Sequence, residues 1–273
     1  MMNTLLILTI INAGLAISPD SGAKSNRQDP DSELRISIIY DNYAHDRNMQ
    51  TDWGFSALLE FGGNRVLFDT GTDGEILLSN ADHLGLKLSQ MEHLFLSHEH
   101  GDHTGGLEAF FGRLDEHVRP HCWIIPSFSG PMKESIRERC QVIESSSWNE
   151  IVEGVYTTGE IAGPVNEQAI VVNTGDGIVV LTGCAHPGIV KIVESAKEHF
   201  GSEVLHVIGG FHLGGQPVSS LERIVSEFRR IGVRNVTPTH CTGDEAIALF
   251  RSEYGEGYQP AGTGAVIVIQ HRR

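Results

Sequence analysis

The chain has 273 residues, of which 40% are apolar and 20% charged, so it can form one large domain or two small ones around a sizeable core. It carries 20 Lys and Arg residues against 35 Asp and Glu residues, and the formal charge of -15 disfavours general nucleic-acid binding because it repels phosphate backbones. The four cysteines contain no CxxC pair, which excludes a structural zinc ribbon.

The N-terminus predicts export. Residues 5–17 form an apolar run that is too short to span a bilayer, and small residues follow it. We therefore predict that residues 1–23 are a signal peptide or hydrophobic leader and that the mature protein is periplasmic or secreted, without stable membrane insertion. Because no Lys or Arg precedes the apolar run, a cytoplasmic protein with a hydrophobic N-terminal extension is the alternative. The polar residues 24–33 predict a linker.

In the first half of the chain, β-branched and alternating segments predict strands over 34–40, 55–61, 65–69 and 93–96. Apolar periodicity predicts helices over 73–85 and 104–114. The middle of the chain, 119–165, predicts one strand over 121–125, one helix near 132–139 and otherwise irregular segments. A disulfide between Cys122 and Cys140 is compatible with export.

The second half has a regular order. A hairpin is predicted over 168–173 and 177–182, across Thr174-Gly175-Asp176. Helices and strands then alternate over 188–200, 203–208, 219–231, 235–238, 244–253 and 265–270. Two mixed sheets packed face to face with helices outside would bury both sheets, so we predict one α/β domain over 34–273, with functional residues where strands end.

A histidine-rich segment follows the strand that ends near residue 96. His98 and His100 are two residues apart, so in extended backbone both side chains point the same way and can bind one ion. The chain then turns at Gly101, which lets Asp102 and His103 reach a second ion. Imidazole and carboxylate ligands suit zinc, manganese or iron. The sequence therefore predicts a metal centre.

The segment His98-x-His100-x-Asp102-His103 resembles the signature of the metallo-β-lactamase superfamily, and Phe68-Asp69-Thr70-Gly71 resembles its first motif, whose Asp supports the metal loop. Other motifs are similar to one subgroup, named after dihydropterin–ribofuranosylaminobenzene-phosphate synthase. These motifs are Asp41-Asn42, Thr182-Gly183-Cys184-Ala185-His186, Gly209-Gly210-Phe211-His212 and Thr239-His240-Cys241. The resemblance covers nearly the whole predicted domain and implies a four-layered αββα sandwich.

The resemblance also implies two divalent ions, of which zinc is the first choice and manganese or iron the alternatives. One ion would be bound by His98, His100 and His186, and the other by Asp102, His103 and His240. Asp69 would support the ligands from behind. Cys184 stands where the superfamily commonly has a bridging Asp, so it either replaces that Asp as a ligand or is a small buried thiol.

His212 lies between glycines that allow a substrate to approach the backbone closely. It could orient the substrate or donate a proton, or it could close a turn. Cys241 is expected behind the ligand His240. Four further histidines lack such a context and are expected at the surface or in packing: His45, His83, His117 and His121.

Two adjacent metal ions would lower the pKa of a bridging water enough to supply hydroxide near neutral pH. The first hypothesis is therefore a hydrolase that acts on an ester, lactone, amide or phosphate ester of a small molecule, with Asp102 orienting the water. A transferase that displaces pyrophosphate from a pterin is the alternative that the subgroup's name implies. A non-catalytic metal-binding or redox-sensing protein that uses Cys184 is the third. Nothing in the sequence indicates the oligomeric state.

Overall fold

The computed structural model describes residues 33–270. The strands of this part are β1 (Glu33–Tyr40), β2 (Ser56–Phe61), β3 (Asn64–Phe68), β4 (His93–Phe95), β5 (His121–Ile124), β6 (Gln141–Glu144), β7 (Asn149–Val152), β8 (Val155–Thr157), β9 (Ile170–Asn173), β10 (Ile178–Thr182), β11 (Val204–Gly210), β12 (Asn235–Thr239) and β13 (Val266–Gln270). Its α-helices are α1 (Gly74–His83), α2 (Gly101–Thr104), α3 (Leu107–Arg113), α4 (Gly130–Arg139), α5 (Ile189–Phe200), α6 (Val218–Ile231) and α7 (Asp244–Tyr254).

The strands form two mixed sheets. The first has the order β13-β1-β2-β3-β4-β5-β6, and the second has the order β12-β11-β10-β9-β8-β7. Strands β3 to β6 run parallel in the first sheet, and β10 to β12 run parallel in the second. In each sheet, therefore, several neighbouring strands end at the same edge, which is where ligands commonly bind in open α/β sheets.

Three apolar clusters account for the layers. The first lies between the sheets and includes Phe68, Phe95 and Ile208. A second joins the first sheet to α1, α3 and α4, and a third joins the second sheet to α5, α6 and α7. Each sheet thus buries both of its faces, which confirms the predicted four-layered αββα sandwich.

The helix predicted over 104–114 is wrong as one continuous element. The structure has α2 and α3, with Gly105 and Gly106 between them. A Cβ atom at Gly105 would lie 2.1 Å from the Thr72 carbonyl oxygen, and one at Gly106 would lie 2.3 Å from that of Thr70. The break brings the chain against the loop that follows β3, and only glycine permits this approach.

The middle of the chain is more regular than predicted. It forms β6, which pairs with β5, and the hairpin of β7 and β8 at the far edge of the second sheet. These strands are short and partly exposed, so their sequences lack the apolar alternation that identifies a strand. Cys122 and Cys140 form a disulfide that joins β5 to the residue after α4.

The predicted leader, residues 1–23, lies outside the described residues, as does most of the linker; Glu33, the last residue assigned to the linker, belongs to β1 and pairs with Gln270. Between residues 33 and 270, no helix is long and apolar enough to cross a membrane.

Candidate metal centre

The predicted site residues lie at the carboxyl ends of parallel strands. Asp69 follows β3, and the segment 98–103 follows β4. On the second sheet, the segment 184–186 follows β10, His212 follows β11 and His240 follows β12. The two sheets therefore bring residues that are far apart in sequence to one edge of the sandwich.

Backbone strain is concentrated at the same edge. Among residues 33–270, the non-glycine residues with positive φ are Asp69 (51°), Ala185 (62°), His212 (52°) and His240 (51°). This conformation is unfavourable for residues with a Cβ and usually persists only where the surroundings enforce it. All four lie in or beside the predicted site.

The glycines in these motifs permit close packing. A Cβ atom at Gly183 would lie 2.3 Å from Ser97 Oγ, and one at Gly210 would lie 2.2 Å from the Gly183 carbonyl oxygen and 2.8 Å from Cys241 Sγ. The loops after β4, β10 and β12 can therefore meet only because these two positions have no side chain.

Asp69 and His103 are both completely buried, and Asp69 Oδ2 lies 2.6 Å from His103 Nδ1. Asp69 also accepts hydrogen bonds from the backbone N–H of Ser97 and from its hydroxyl, both at 2.7 Å. When His103 donates its Nδ1 proton to this carboxylate, its Nε2 atom is available as a metal ligand. Asp69 therefore lies directly behind His103, within hydrogen-bond distance of its Nδ1 atom.

His98, His100 and His186 converge on one side of the site. His98 Nε2 lies 3.1 Å from His100 Nδ1, and the ring of His186 lies 4.8 Å from each of the other two rings. The possible ligand atoms of His98, His186 and Cys184 all lie within 4.8 Å of one another. Two imidazoles and a thiol at this spacing can bind one divalent ion, and His100 lies beside them as a further possible ligand.

Asp102, His103 and His240 converge on the other side. Asp102 Oδ2 lies 3.6 Å from His103 Nε2 and 3.4 Å from His240 Nε2. Cys184 Sγ lies 3.2 Å from His103 Nε2, and all four possible ligand atoms lie within 4.8 Å of one another. Cys184 therefore belongs to both sets of possible ligands and lies between them.

Two nitrogen atoms in the centre lack hydrogen-bond partners. The Nε2 atoms of His186 and His240 are buried and make no hydrogen bond within the described structure. Buried polar atoms are normally paired, so an unpaired imidazole nitrogen beside carboxylate and thiol groups fits a metal ligand. One such atom occurs in each of the two ligand sets.

The electrostatic surroundings also favour cation binding. Burial lowers the pKa of His98, and the neighbouring imidazoles lower it further. Burial and His212 lower the pKa of His186 to about 4, so its ring is neutral at physiological pH. Burial opposes ionisation of Asp102, but His240 and His103 hold the pKa of this carboxyl below its usual range. Neutral imidazoles and an ionised carboxylate are the forms that bind metals.

The pKa of His103 shifts in the opposite direction because this residue is paired with Asp69. Burial alone would lower its pKa, but the Asp69 carboxylate raises it to about 9. A divalent ion at Nε2 must therefore displace a proton from His103 when the metal-free site is filled, while the Nδ1 proton stays with Asp69.

Glu167 is a residue of the site that the sequence analysis missed. Its carboxylate is completely buried and accepts hydrogen bonds from the backbone N–H groups of Cys184, Ala185 and His186 at 2.8 to 2.9 Å. It therefore fixes the loop that carries two possible ligands. A single Glu before an apolar strand has no motif, so the sequence offered no specific signal.

Asn42 and Asp41 support the loop after β12. Asn42 Oδ1 lies 3.0 Å from His240 Nδ1, and its amide donates a hydrogen bond to the His240 carbonyl oxygen. Asp41 is completely buried and accepts hydrogen bonds from Thr239 Oγ1 at 2.6 Å and from the backbone N–H of Tyr43. These contacts orient His240 so that Nε2 faces Asp102, which gives the Asp41-Asn42 motif a physical role.

His212 and Cys241 adjoin the centre. His212 is exposed, and its ring lies 4.2 Å from that of His186. Its possible ligand atom lies within 4.8 Å of the sulfur atoms of Cys184 and Cys241, and the contact with Cys241 raises the pKa of His212. Cys241 is buried behind His240, as expected, and its thiol faces the Cys184 carbonyl oxygen.

The histidines without a motif lie outside both ligand sets. His45 and His117 are exposed, His83 is 3.4 Å from an aspartate, and His121 stacks on another histidine at the opposite end of β4 and β5. Their expected roles at the surface or in packing agree with these positions.

Comparison with known proteins identifies relatives of this chain. Residues 46–152 match the family model described as Anti-Pycsar protein Apyc1. The chain is 26% identical to the 7,8-dihydropterin-6-methyl-4-(beta-D-ribofuranosyl)-aminobenzene-5'-phosphate synthase of Methanocaldococcus jannaschii, over 86% of this chain and 96% of the synthase.

Solved structures are also similar to this chain. Tm1679, described as a metal-dependent hydrolase of the beta-lactamase superfamily, superimposes with a TM-score of 0.74 at 27% identity and covers 87% of this chain and 99% of its own. YhfI from Bacillus subtilis, a metallo-beta-lactamase fold protein, gives a TM-score of 0.63 at 15% identity, over 87% of this chain and 99% of its own. The chain therefore has the metallo-β-lactamase fold, as its motifs predicted.

Proposed function

We propose that the protein is a metal-dependent hydrolase of a small molecule, with two divalent ions at the edge of the sandwich. The observation that carries the proposal is the pair of ligand sets that share Cys184, each with a buried imidazole nitrogen that lacks a partner. One set comprises His98, His186 and Cys184, with His100 beside His98, and the other comprises Asp102, His103, His240 and Cys184.

Zinc suits these ligands best, because imidazole, carboxylate and thiolate are its usual donors. Bound ions would supply Lewis-acid chemistry, which activates water near neutral pH and stabilises negative charge on an ester, lactone, amide or phosphate ester. The relative Tm1679, which is 27% identical, is described as a metal-dependent hydrolase, and this description supports the proposal.

The chain itself contributes orientation and proton transfer. Asp102 lies among His103, His240 and Cys184 and is half-buried, so its carboxylate can orient a water molecule towards the substrate. His212 is exposed beside His186, so it can donate a proton to the leaving group from the open side of the centre.

The test combines metal content with turnover. We expect two bound ions per chain and hydrolysis within a panel of generic esters, lactones and phosphodiesters. His100→Ala should abolish hydrolysis and lower the metal content, whereas His117→Ala, which changes an exposed histidine outside both ligand sets, should do neither. Full activity in a demetallated sample would refute the proposal.

A synthase is the second candidate. The similarity to the Methanocaldococcus jannaschii synthase over 86% of this chain favours it. In that case, the same centre would bind the pyrophosphate of a pterin and release it as the pterin joins an aminobenzene ribose phosphate. Pyrophosphate release that depends on both substrates, without hydrolysis of the generic panel, would support the synthase instead.

We also propose that the protein is exported. The disulfide between Cys122 and Cys140 supports this location, because disulfides form and persist mainly in oxidising compartments. Fractionation of cells that produce the full chain, followed by N-terminal sequencing of the mature protein, tests export; a cytoplasmic protein with both thiols free would contradict it.

A further inference from the structure

A cavity opens directly beside the metal centre. It has a volume of about 390 Å³, and its lining includes His186 and His212. This volume lies in the range of small-molecule sites, which is roughly 300 to 1,000 Å³. A substrate whose reacting bond lies at the centre could therefore extend into this cavity.

The walls of the cavity are mainly apolar. They come mainly from the start of α5, from α6 and from the loop between β11 and α6, with Pro164 from the loop between β8 and β9. The larger apolar side chains are Pro164, Ile189, Val190, Phe211, Leu213 and Ile224. Ile189, Phe211 and Leu213 are buried, so they give the cavity a fixed floor. Burial of an apolar group here removes it from water and so favours binding.

The lining of the cavity also includes polar and positively charged side chains. Among the described residues that line it, Arg223 is the only one with a permanent charge, and Gln216 and Ser220 lie beside it. Arg223 Nη2 lies 3.4 Å from Ser220 Oγ, and Arg223 forms no ion pair with a carboxylate of residues 33–270. A guanidinium group binds carboxylate or phosphate through two parallel hydrogen bonds.

We propose that this cavity binds the part of the substrate beyond the reacting bond, and that this part is an apolar chain ending in a carboxylate or phosphate that Arg223 binds. The proposal rests on the hydrolase function, since it assumes that the reacting bond lies at the metal centre. It narrows the substrate from esters in general to anionic amphiphiles, in a protein whose formal charge of -15 otherwise repels anions.

Binding to the zinc-loaded protein tests the proposal without turnover. Octanedioate carries two carboxylates, one for the centre and one for Arg223, whereas octanoate has only one. We expect isothermal calorimetry to show octanedioate binding roughly five- to tenfold more tightly, as an exposed charge-assisted hydrogen bond would give. Homologues with shorter and longer chains locate the best fit, and 8-phosphonooctanoate shows whether a phosphate-like end binds more tightly than a carboxylate.

Three variants test which residues cause the tighter binding of octanedioate. Arg223→Gln should make the two ligands bind equally, while the affinity for octanoate stays within about twofold. Arg234→Gln makes the same change of charge at an exposed position paired with Glu203, so it should keep the preference. Ile224→Trp should weaken both ligands by filling the cavity.

Equal affinities of the two ligands for the wild type, equal effects of the two arginine variants, or no binding at any chain length would overturn the proposal. Failure of the hydrolase is recognised separately, because a protein that binds octanedioate through Arg223 but hydrolyses nothing in the panel contradicts only the proposed reaction.

Discussion

His103 Nδ1 lies 2.6 Å from Asp69 Oδ2, and neither side chain is exposed to solvent. This contact leaves His103 Nε2 directed at Cys184 Sγ, 3.2 Å away. A carboxylate behind a histidine ligand fixes the ring and raises its basicity towards a metal. The pair therefore links a motif after β3 to the ligands after β4 and β10.

Asp69→Asn should weaken metal binding. The asparagine oxygen can still accept the Nδ1 proton of His103, but its amide NH2 then faces the Ser97 backbone N–H, which loses its acceptor. The negative charge is lost as well, so we expect zinc affinity to fall roughly ten- to a hundredfold. Titration against a competing chelator measures this loss. Asp82→Asn, at an exposed residue paired with Arg113, is the control and should bind zinc like the wild type. Unchanged affinity in Asp69→Asn would show that the contact is only structural.

Glu167→Ala should disorganise the loop after β10. Three backbone N–H groups would lose their acceptor, and each such hydrogen bond contributes about 0.5 to 1.5 kcal/mol. We expect a lower unfolding free energy and a lower metal content, because Cys184 and His186 lose their fixed positions. Urea unfolding and metal analysis measure the two effects. Glu160→Ala, at a carboxylate in a nearby loop outside the centre, controls for charge; a fully loaded Glu167→Ala protein would contradict the role.

Sequence spacing alone indicates which residues of the candidate centre lie close together locally. The sequence spacing of His98, His100 and His103 largely determines their spatial proximity, because side chains two or three residues apart after a strand lie close together. His186 and His240 were predicted from their positions after strands. Only the packing of the two sheets then brings the remaining residues together, and apolar patterning predicted this packing too.

Other features depend on tertiary contacts. Glu167 acts through backbone N–H groups of residues that lie beside it only in the folded chain, so no pattern marks it. The break between α2 and α3 results from packing against the loop after β3, which helical periodicity cannot show. Strands β6 to β8 were missed because strands of three or four residues are too short to show apolar alternation.

Substitution of Cys184 tests directly whether the protein binds two ions, because its sulfur atom belongs to both sets of possible ligands. Cys184→Ala should lower metal content to one ion or fewer, while Cys184→Asp, which supplies a carboxylate at the same position, should retain more metal. In the cobalt-loaded wild type, a thiolate ligand gives a charge-transfer band in the near ultraviolet, and this band should disappear in Cys184→Ala. Cys241→Ala controls for the neighbouring thiol; a band that survives Cys184→Ala would exclude Cys184 as a ligand.

His212→Gln should affect turnover more than metal binding. His212 is exposed and lies beside His186, so its loss removes a proton donor without opening either ligand set. General acid catalysis contributes about a hundredfold or more, so we expect kcat to fall by roughly that factor. A substrate with a leaving group that needs no protonation should be affected least. If both kinds of substrate lose activity equally, His212 serves only to shape the site.

Asp41 should make the metal-free protein less stable as the pH rises. Burial raises the pKa of this carboxyl from 3.8 to about 6, against the opposing hydrogen bond from Thr239, so the folded state binds its proton more tightly than the unfolded state. The resulting stabilisation is complete below the unfolded pKa of 3.8 and is lost as the pH rises through about 6.

Asp41→Asn mimics the protonated side chain and should remove this dependence. Its oxygen can still accept from the Tyr43 N–H, and its amide can donate to Thr239 Oγ1, since a hydroxyl both donates and accepts. Between about pH 4 and about pH 7, the wild type should therefore lose about 2 kcal/mol more than the variant, at about 1.4 kcal/mol per pKa unit, since part of the stabilisation is already lost at pH 4. Urea unfolding of both proteins after metal removal measures the difference, with Asp82→Asn as the exposed control. Parallel curves for the wild type and Asp41→Asn would mean that Asp41 is already ionised throughout this range, and that the Thr239 and Tyr43 hydrogen bonds offset its burial.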